Sequence, residues 1–259
     1  MSKATIAVTR VYEECGMTHP LDLPLETILN SKSILLKDEL MHGADGRIIM
    51  NERNAVITIN SNIGIDTKRR FAIAHELGHY ELHKNISKVY NDTQATFDQW
   101  YQTSFNAEEI EANEFAAEFL MPTPLFASEC HRKKFGPDVI DHLAKTFQVS
   151  KTATVLKFVK AGNHPVFVMC CQDNKMKWWK KSDDFYYYSL FERNAPPPTG
   201  TVAYENYKRG QGYMGNEKKQ QIWKSDWFQV PDDKPDSKFY EYCLFVPSYN
   251  YSLSVLWED

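Results

Sequence analysis

The chain has 259 residues, 42% hydrophobic and 25% charged, with a net charge of −4 and a pI near 6.1. That balance fits a globular protein of one or two domains, and its acidity argues against a surface committed to nucleic acid. No apolar run approaches the ~18 residues of a membrane span, and the N-terminus lacks the basic-then-apolar order of a signal peptide. Five scattered cysteines (Cys15, Cys130, Cys170, Cys171 and Cys243) contain no CxxC pair. They indicate neither a disulfide framework nor a cysteine metal site, and a reducing cytoplasm is the expected compartment.

Residues 4–15 have helical periodicity and end at Gly16, a natural C-cap. A second short helix is expected from Pro24 to Leu29, with the proline in its first turn. From Ser33 the character changes to short aliphatic or β-branched runs at Ile34–Leu36, Ile48–Met50 and Val56–Ile59, with Ala44-Asp45-Gly46 read as a turn. These predict a small antiparallel sheet leading into the next helix. Such a sheet could hold an extended peptide by strand addition, or simply support the helix.

That helix, expected over about residues 66–83 with Asp66 or Thr67 as its cap, carries His75-Glu76-Leu77-Gly78-His79. Helical residues four apart lie roughly 6 Å apart along the axis and about 40° round it. His75 and His79 can therefore converge on one metal ion, with Glu76 beside it as a base for water. This H-E-x-x-H spacing is the signature of helix-borne zinc hydrolysis. His83 continues the ladder, but eight residues of helix span roughly 12 Å, too far to share the ion of His75. It is expected to pack or to support a ligand.

Residues 85–105 are polar and aromatic without clear period, a connection long enough to form a lid or binding loop. Asn106–Leu120 then reads as a helix, with Asn106 and Glu109 in capping-box spacing and Pro122 limiting continuation. A zinc hydrolase needs a third protein ligand, and Glu108, Glu109, Glu111, Glu114 and Glu118 are all available here. Spacing alone does not choose among them.

Helices over Pro137–Phe147 and from Ser150 to about Ala161 form a hairpin of helix-turn-helix type. It has some lysines but no arginine to read guanine, so completing the helical core is its expected role. Gly162-Asn163-His164-Pro165 marks the expected boundary between a domain over residues 1–162 and a mostly β domain over 165–259. In the latter, strands are expected at Pro165–Cys171, Met176–Trp179, Phe185–Phe191, Val202–Tyr207, Trp223–Val230 and Phe239–Val246, with a turn at Asp173-Asn174. The segment Lys175–Lys181 interleaves lysine with Trp178 and Trp179. Such a composition can stack bases but equally suits a hairpin with one aromatic and one basic face.

RRFAIAHELGHYELH followed by IEANEFAAEFLMP is similar to the ImmA/IrrE family of zinc-dependent metallopeptidases, over roughly residues 66–122. Phe119 stands where that family more often has leucine. The expected fold is α+β: a helical zincin-like core with the small antiparallel sheet, followed by the smaller, mostly β domain that the composition indicates. The resemblance implies Zn²⁺ held by His75, His79 and Glu111, the glutamate immediately before Ala-Asn, with Glu76 as general base toward metal-activated water. It also implies a protein substrate, typically a helix-turn-helix repressor, in a bacterial or mobile-element setting. The alternative is a metal-containing sensor or DNA-binding regulator without peptidase activity.

Overall fold

The computed structural model describes residues 1–51, 54–84, 89–93, 107–186, 189–190, 194–209, 218–230, 235–246 and 250–258. The architecture is α+β, and the chain forms two compact units. One comprises residues 1–126 with 145–150, the other 127–144 with 151–259. Compactness thus divides the chain earlier than residue 162, grouping most of the helical hairpin with the C-terminal strands.

In the first unit α1 (Lys3–Cys15) starts where Ser2 Oγ accepts from the Thr5 amide and stops at Gly16, whose φ of 64° suits a residue without a Cβ. Helix α2 (Leu25–Ser31) follows Pro24. Strands β1 (Ile34–Glu39), β2 (Ala44–Met50) and β3 (Ala55–Asn60) precede α3 (Asp66–His83), and β4 (Val89–Thr93) follows it. The sheet order is β1-β3-β2-β4. Strand β2 runs antiparallel to β3 and β4, whereas β1 is parallel to β3, so the sheet is mixed rather than purely antiparallel.

The reason lies in the connection. β1 and β2 form an open hairpin into which β3 inserts, and a gap of roughly two strand spacings needs more than a tight turn. The turn therefore falls at residues 40–43, with Gly43 at φ 77°, and Ala44-Asp45-Gly46 belongs to β2 itself. The Asn60 amide ties this turn down by donating to the Met41 and Ala44 carbonyls at 2.9 and 2.8 Å. The start of α3 also differs from expectation. Its N-cap is Ile65, without a side-chain bond, and Asp66 lies in the first turn, where its charge favours the helix dipole. Strand β4 lies within the connection read as aperiodic; most of that connection, and Asn106, fall outside the described residues.

Helix α4 (Ala107–Leu120) packs directly on α3. A Cβ on Gly78 would stand 3.1 Å from the Ala112 backbone and 3.2 Å from Phe115 Cβ, so the glycine permits the close approach. Ala112, Phe115, Ala116, Phe119 and Leu120 form the buried face of α4.

Helices α5 (Thr123–Cys130) and α6 (Pro137–Phe147) contribute residues to both units, and α7 (Lys151–Ala161) belongs to the second. There β5 (Phe167–Gln172) and β6 (Lys175–Lys181) join through Asp173 and Asn174, both at positive φ as a tight hairpin requires. After β7 (Ser189–Leu190) come α8 (Val202–Arg209), β8 (Gln220–Trp223), α9 (Lys224–Trp227), β9 (Phe228–Gln229), β10 (Lys238–Val246) and β11 (Tyr251–Glu258). The five-stranded sheet, order β6-β5-β11-β10-β8, is antiparallel throughout.

Both faces of this sheet are covered. Trp257 packs edge-on to Phe135 at 4.9 Å and the Tyr251 hydroxyl lies 3.3 Å from Thr152 Oγ1, on the side of the helical hairpin. Phe167, Met169, Cys171, Cys243 and Leu256 pack with Val202, Ala203 and Trp227 on the other. That is why adjacent Cys170 and Cys171 are both buried.

Three expected features change here. Val202–Tyr207 is helix, because Thr201 Oγ1 accepts from the Tyr204 amide while buried Glu241 accepts from the Val202 and Ala203 amides. Trp223–Val230 is interrupted by α9, whose first turn Asp226 caps through the Trp223 amide. Strand β11, which lies between β5 and β10, was not among the expected strands.

Candidate metal centre

Helix α3 carries His75, Glu76 and His79 into the interior, each essentially without solvent exposure. The two imidazoles converge as their spacing predicts, with Nε2 atoms 3.1 Å apart. The third group at this point is Glu109 of α4, with Oε2 3.2 Å from His75 Nε2 and Oε1 3.4 Å from His79 Nε2. Among the described residues, His75, His79 and Glu109 form the group able to hold a metal ion.

The donor set can be tested for fit. Tetrahedral zinc with Zn–N and Zn–O distances of about 2.0–2.1 Å places its ligand atoms roughly 3.3 Å from one another. The three separations above bracket that value. Protonation agrees. Asn113 Oδ1, 2.9 Å from His75 Nδ1, can only accept, so the His75 proton sits on Nδ1 and its Nε2 lone pair faces inward. Burial holds His79 below the usual imidazole range, opposed by its bond to Glu109 and assisted by the neighbouring histidines. Burial would raise Glu109, yet hydrogen bonds with His75 and His79 hold it well below the carboxylate range. Neutral imidazoles and an ionised carboxylate are the forms that bind zinc.

Glu111, the expected third ligand, is elsewhere. Its Oε2 lies 3.0 Å from His83 Nε2 and its Oε1 accepts from Lys3 Nζ at 2.9 Å. The displacement is a matter of helix phase: at about 100° per residue, positions 109 and 111 face roughly 160° apart. Glu109 shares a side with Asn113, one turn on, so the pattern E-x-x-x-N delivers a carboxylate and a histidine-orienting amide together. His83 Nδ1 lies 3.1 Å from His79 Nδ1, in keeping with support of a ligand.

Glu76 is fully buried against β2. A Cβ on Gly46 would fall 2.8 Å from Glu76 Oε1, so this glycine makes the space the carboxylate occupies. The Tyr80 hydroxyl is engaged with the Lys32 carbonyl at 3.3 Å and with Lys84 Nζ at 2.8 Å, which argues against an oxyanion role. The tyrosines of the 85–105 connection lie in residues whose side chains are not described.

Residues 30–158 match Peptidase_M78, the IrrE N-terminal-like domain. The chain is 32% identical over 116 residues to "Uncharacterized immunity region protein 2" of Bacillus phage phi105, a match covering 45% of this chain and 66% of that relative's length. Its structure resembles that of a "Mycobacterium tuberculosis transcriptional regulator" with a TM-score of 0.64 at 15% identity, covering 100% of this chain and 77% of the other. At that identity the likeness is one of fold. Through residues 30–158 the chain belongs to the IrrE-like Peptidase_M78 family, in agreement with the ImmA/IrrE resemblance of its motifs. No helix among the described residues is long and apolar enough to cross a membrane.

Proposed function

We propose that this protein is a zinc-dependent peptidase that cuts a regulatory protein, a helix-turn-helix repressor being the class its family implies. The observation that carries the reading is the convergence of His75, His79 and Glu109 at tetrahedral-edge distances beside a buried Glu76. Zinc, when bound there, supplies Lewis acidity toward water and toward the scissile carbonyl. His75 and His79 would hold it through Nε2 and Glu109 through its carboxylate. Glu76 accepts a proton from the attacking water on a carboxylate oxygen and returns it to the leaving amine. Its burial keeps bulk water from competing for that proton, and Gly46 leaves the space that its carboxylate occupies.

A protein partner is favoured over DNA by the state of the helical hairpin. Thr154, Val155, Leu156, Lys157, Phe158 and Val159 of α7 are consecutive and all buried. That stretch of more than a full turn has no free face to lay in a major groove, which leaves only the two ends of α7 open to solvent. The immunity-region relative and the regulator of like fold agree with a role in gene control.

The deciding experiment co-expresses the chain with repressors encoded beside it, comparing wild type with Glu76→Gln by gel. Wild type should yield two defined fragments of one repressor. Glu76→Gln should keep its zinc and lose at least ~10²-fold in rate. Equal cleavage by the variant would remove Glu76 from the mechanism and the peptidase reading with it.

A further inference from the structure

Beyond the three metal-facing groups a second line of polar side chains runs from His79 to the protein's first helix. His83 is 4% exposed, with Nδ1 3.1 Å from His79 Nδ1 and Nε2 3.0 Å from Glu111 Oε2. The other oxygen of Glu111 accepts from Lys3 Nζ of α1 at 2.9 Å.

The direction of every link follows from what each atom can do. An ionised carboxylate only accepts, so His83 carries its proton on Nε2. In its uncharged form that ring offers a lone pair at Nδ1, and the His79 tautomer that matches it across the 3.1 Å contact donates from Nδ1. That leaves the His79 Nε2 lone pair directed at His75 Nε2 and Glu109, where a metal belongs. His75 reaches the same state by a different device, the Asn113 amide oxygen.

We infer that His83 and Glu111 are positioning residues for the metal centre, locking His79 in the tautomer that presents Nε2 to the ion. Glu111, the third of four side chains on a path that ends at exposed Lys3, acts through His83 and does not ligate. Lys3 is 77% exposed and contributes little by itself, because an exposed ion pair is well screened. The inference rests on the metal reading of His75, His79 and Glu109. It goes further in assigning roles to the third histidine of the ladder and to the glutamate before Ala112-Asn113.

The test uses the full-length protein and zinc in competition with a chromophoric chelator. His83→Phe keeps an aromatic ring in the site but removes the acceptor. His83→Asn loses the ring and keeps an amide oxygen near the former Nδ1. Positioning predicts that His83→Phe and Glu111→Ala still saturate with zinc but bind it about 10–100-fold more weakly. His83→Asn should retain most of the affinity, and Glu109→Ala should lose binding altogether. A packing role predicts the reverse order for the two His83 variants. In the metal-free protein, ¹⁵N shifts of the His79 ring should report a proton fixed on Nδ1 in wild type and a mixture of tautomers in His83→Phe. Wild-type affinity in His83→Phe, or an unchanged His79 tautomer, would overturn the inference. If wild type binds no zinc, the peptidase reading fails, and the tautomer measurement still decides the role of His83.

Discussion

Glu109 and Glu111 differ by two positions, and that difference separates a metal-facing carboxylate from one that faces His83. The choice is made by Gly78, whose missing side chain lets the Ala112 backbone lie against α3 and so fixes the rotation of α4. From Ala112, Glu109 is one turn back on the side of Asn113, whereas Glu111 points the other way. A sequence signal for this existed in the small residues Ala112 and Ala116 and in the E-x-x-x-N spacing, but five glutamates on one helix look alike without a packing partner. The two histidines and Glu76 needed no partner to be legible, because one helix holds all three. The role of Gly46 is not legible in the sequence, because it exists only once β2 lies against α3. Replacing Gly46 with alanine puts a methyl within 2.8 Å of Glu76 Oε1 and displaces the base. A displacement of about 1 Å can cost on the order of 10²-fold in rate. Gly46→Ala should therefore lower turnover of the identified substrate to that degree while leaving zinc content unchanged. Full activity would mean that Glu76 tolerates a shift and that its position is not set by this contact.

Among the elements, the helices are the most legible in the sequence. The bounds of α1, α3, α6 and α7 follow from periodicity and punctuation that are local in the chain. Helix α8 departs from the strand expected at Val202–Tyr207, a segment rich in strand-forming residues, because what makes it a helix is remote. Glu241 of β10, fully buried, accepts from the Val202 and Ala203 amides, the Trp227 indole and the Ser254 hydroxyl. Truncating Glu241 to alanine strands these donors, each at a cost of about 1–3 kcal/mol when buried and unsatisfied. A loss of several kcal/mol is expected in urea unfolding, on the order of the whole stability of a small unit. A midpoint within error of wild type would show the donors finding other partners. The α3–α4 contact gives a second test. Alanine at position 78 gains up to ~1 kcal/mol of helix propensity, but its methyl meets the Ala112 backbone, which cannot rotate away, and overpacking typically costs 1–3 kcal/mol. Gly78→Ala should therefore come out destabilised on balance and hold zinc less tightly, since the two helices that bring Glu109 to His75 and His79 are forced apart. A stabilised variant with normal zinc affinity would mean the helices separate without cost.

At the scale of the whole molecule the open matter is where one folding unit ends. The expected boundary at Gly162 follows a change of composition from helix formers to strand formers, and composition is blind to what a helix covers. In the structure Phe135 packs at a tilt against Phe158 at 4.6 Å and meets Trp257 at 4.9 Å, and Thr152 reaches Tyr251. A chain stopped at residue 162 keeps Phe135 and Phe158 but removes the strand that packs on them. It would expose a contiguous apolar face, which invites association. The fragment over residues 1–162 should therefore aggregate in size-exclusion chromatography where the full chain does not, even though it contains His75, His79 and Glu109. A fragment over residues 127–259 keeps both covers of the five-stranded sheet. It should give a cooperative circular-dichroism melt and contain no zinc. If the 1–162 fragment instead runs as a single folded species with about one zinc per chain, the compositional boundary is the physical one. The helical hairpin then folds with the metal centre, and the second unit is free to serve substrate choice alone. If 127–259 fails to fold while 1–162 aggregates, neither unit is autonomous, and zinc binding and partner selection must be measured on the intact chain.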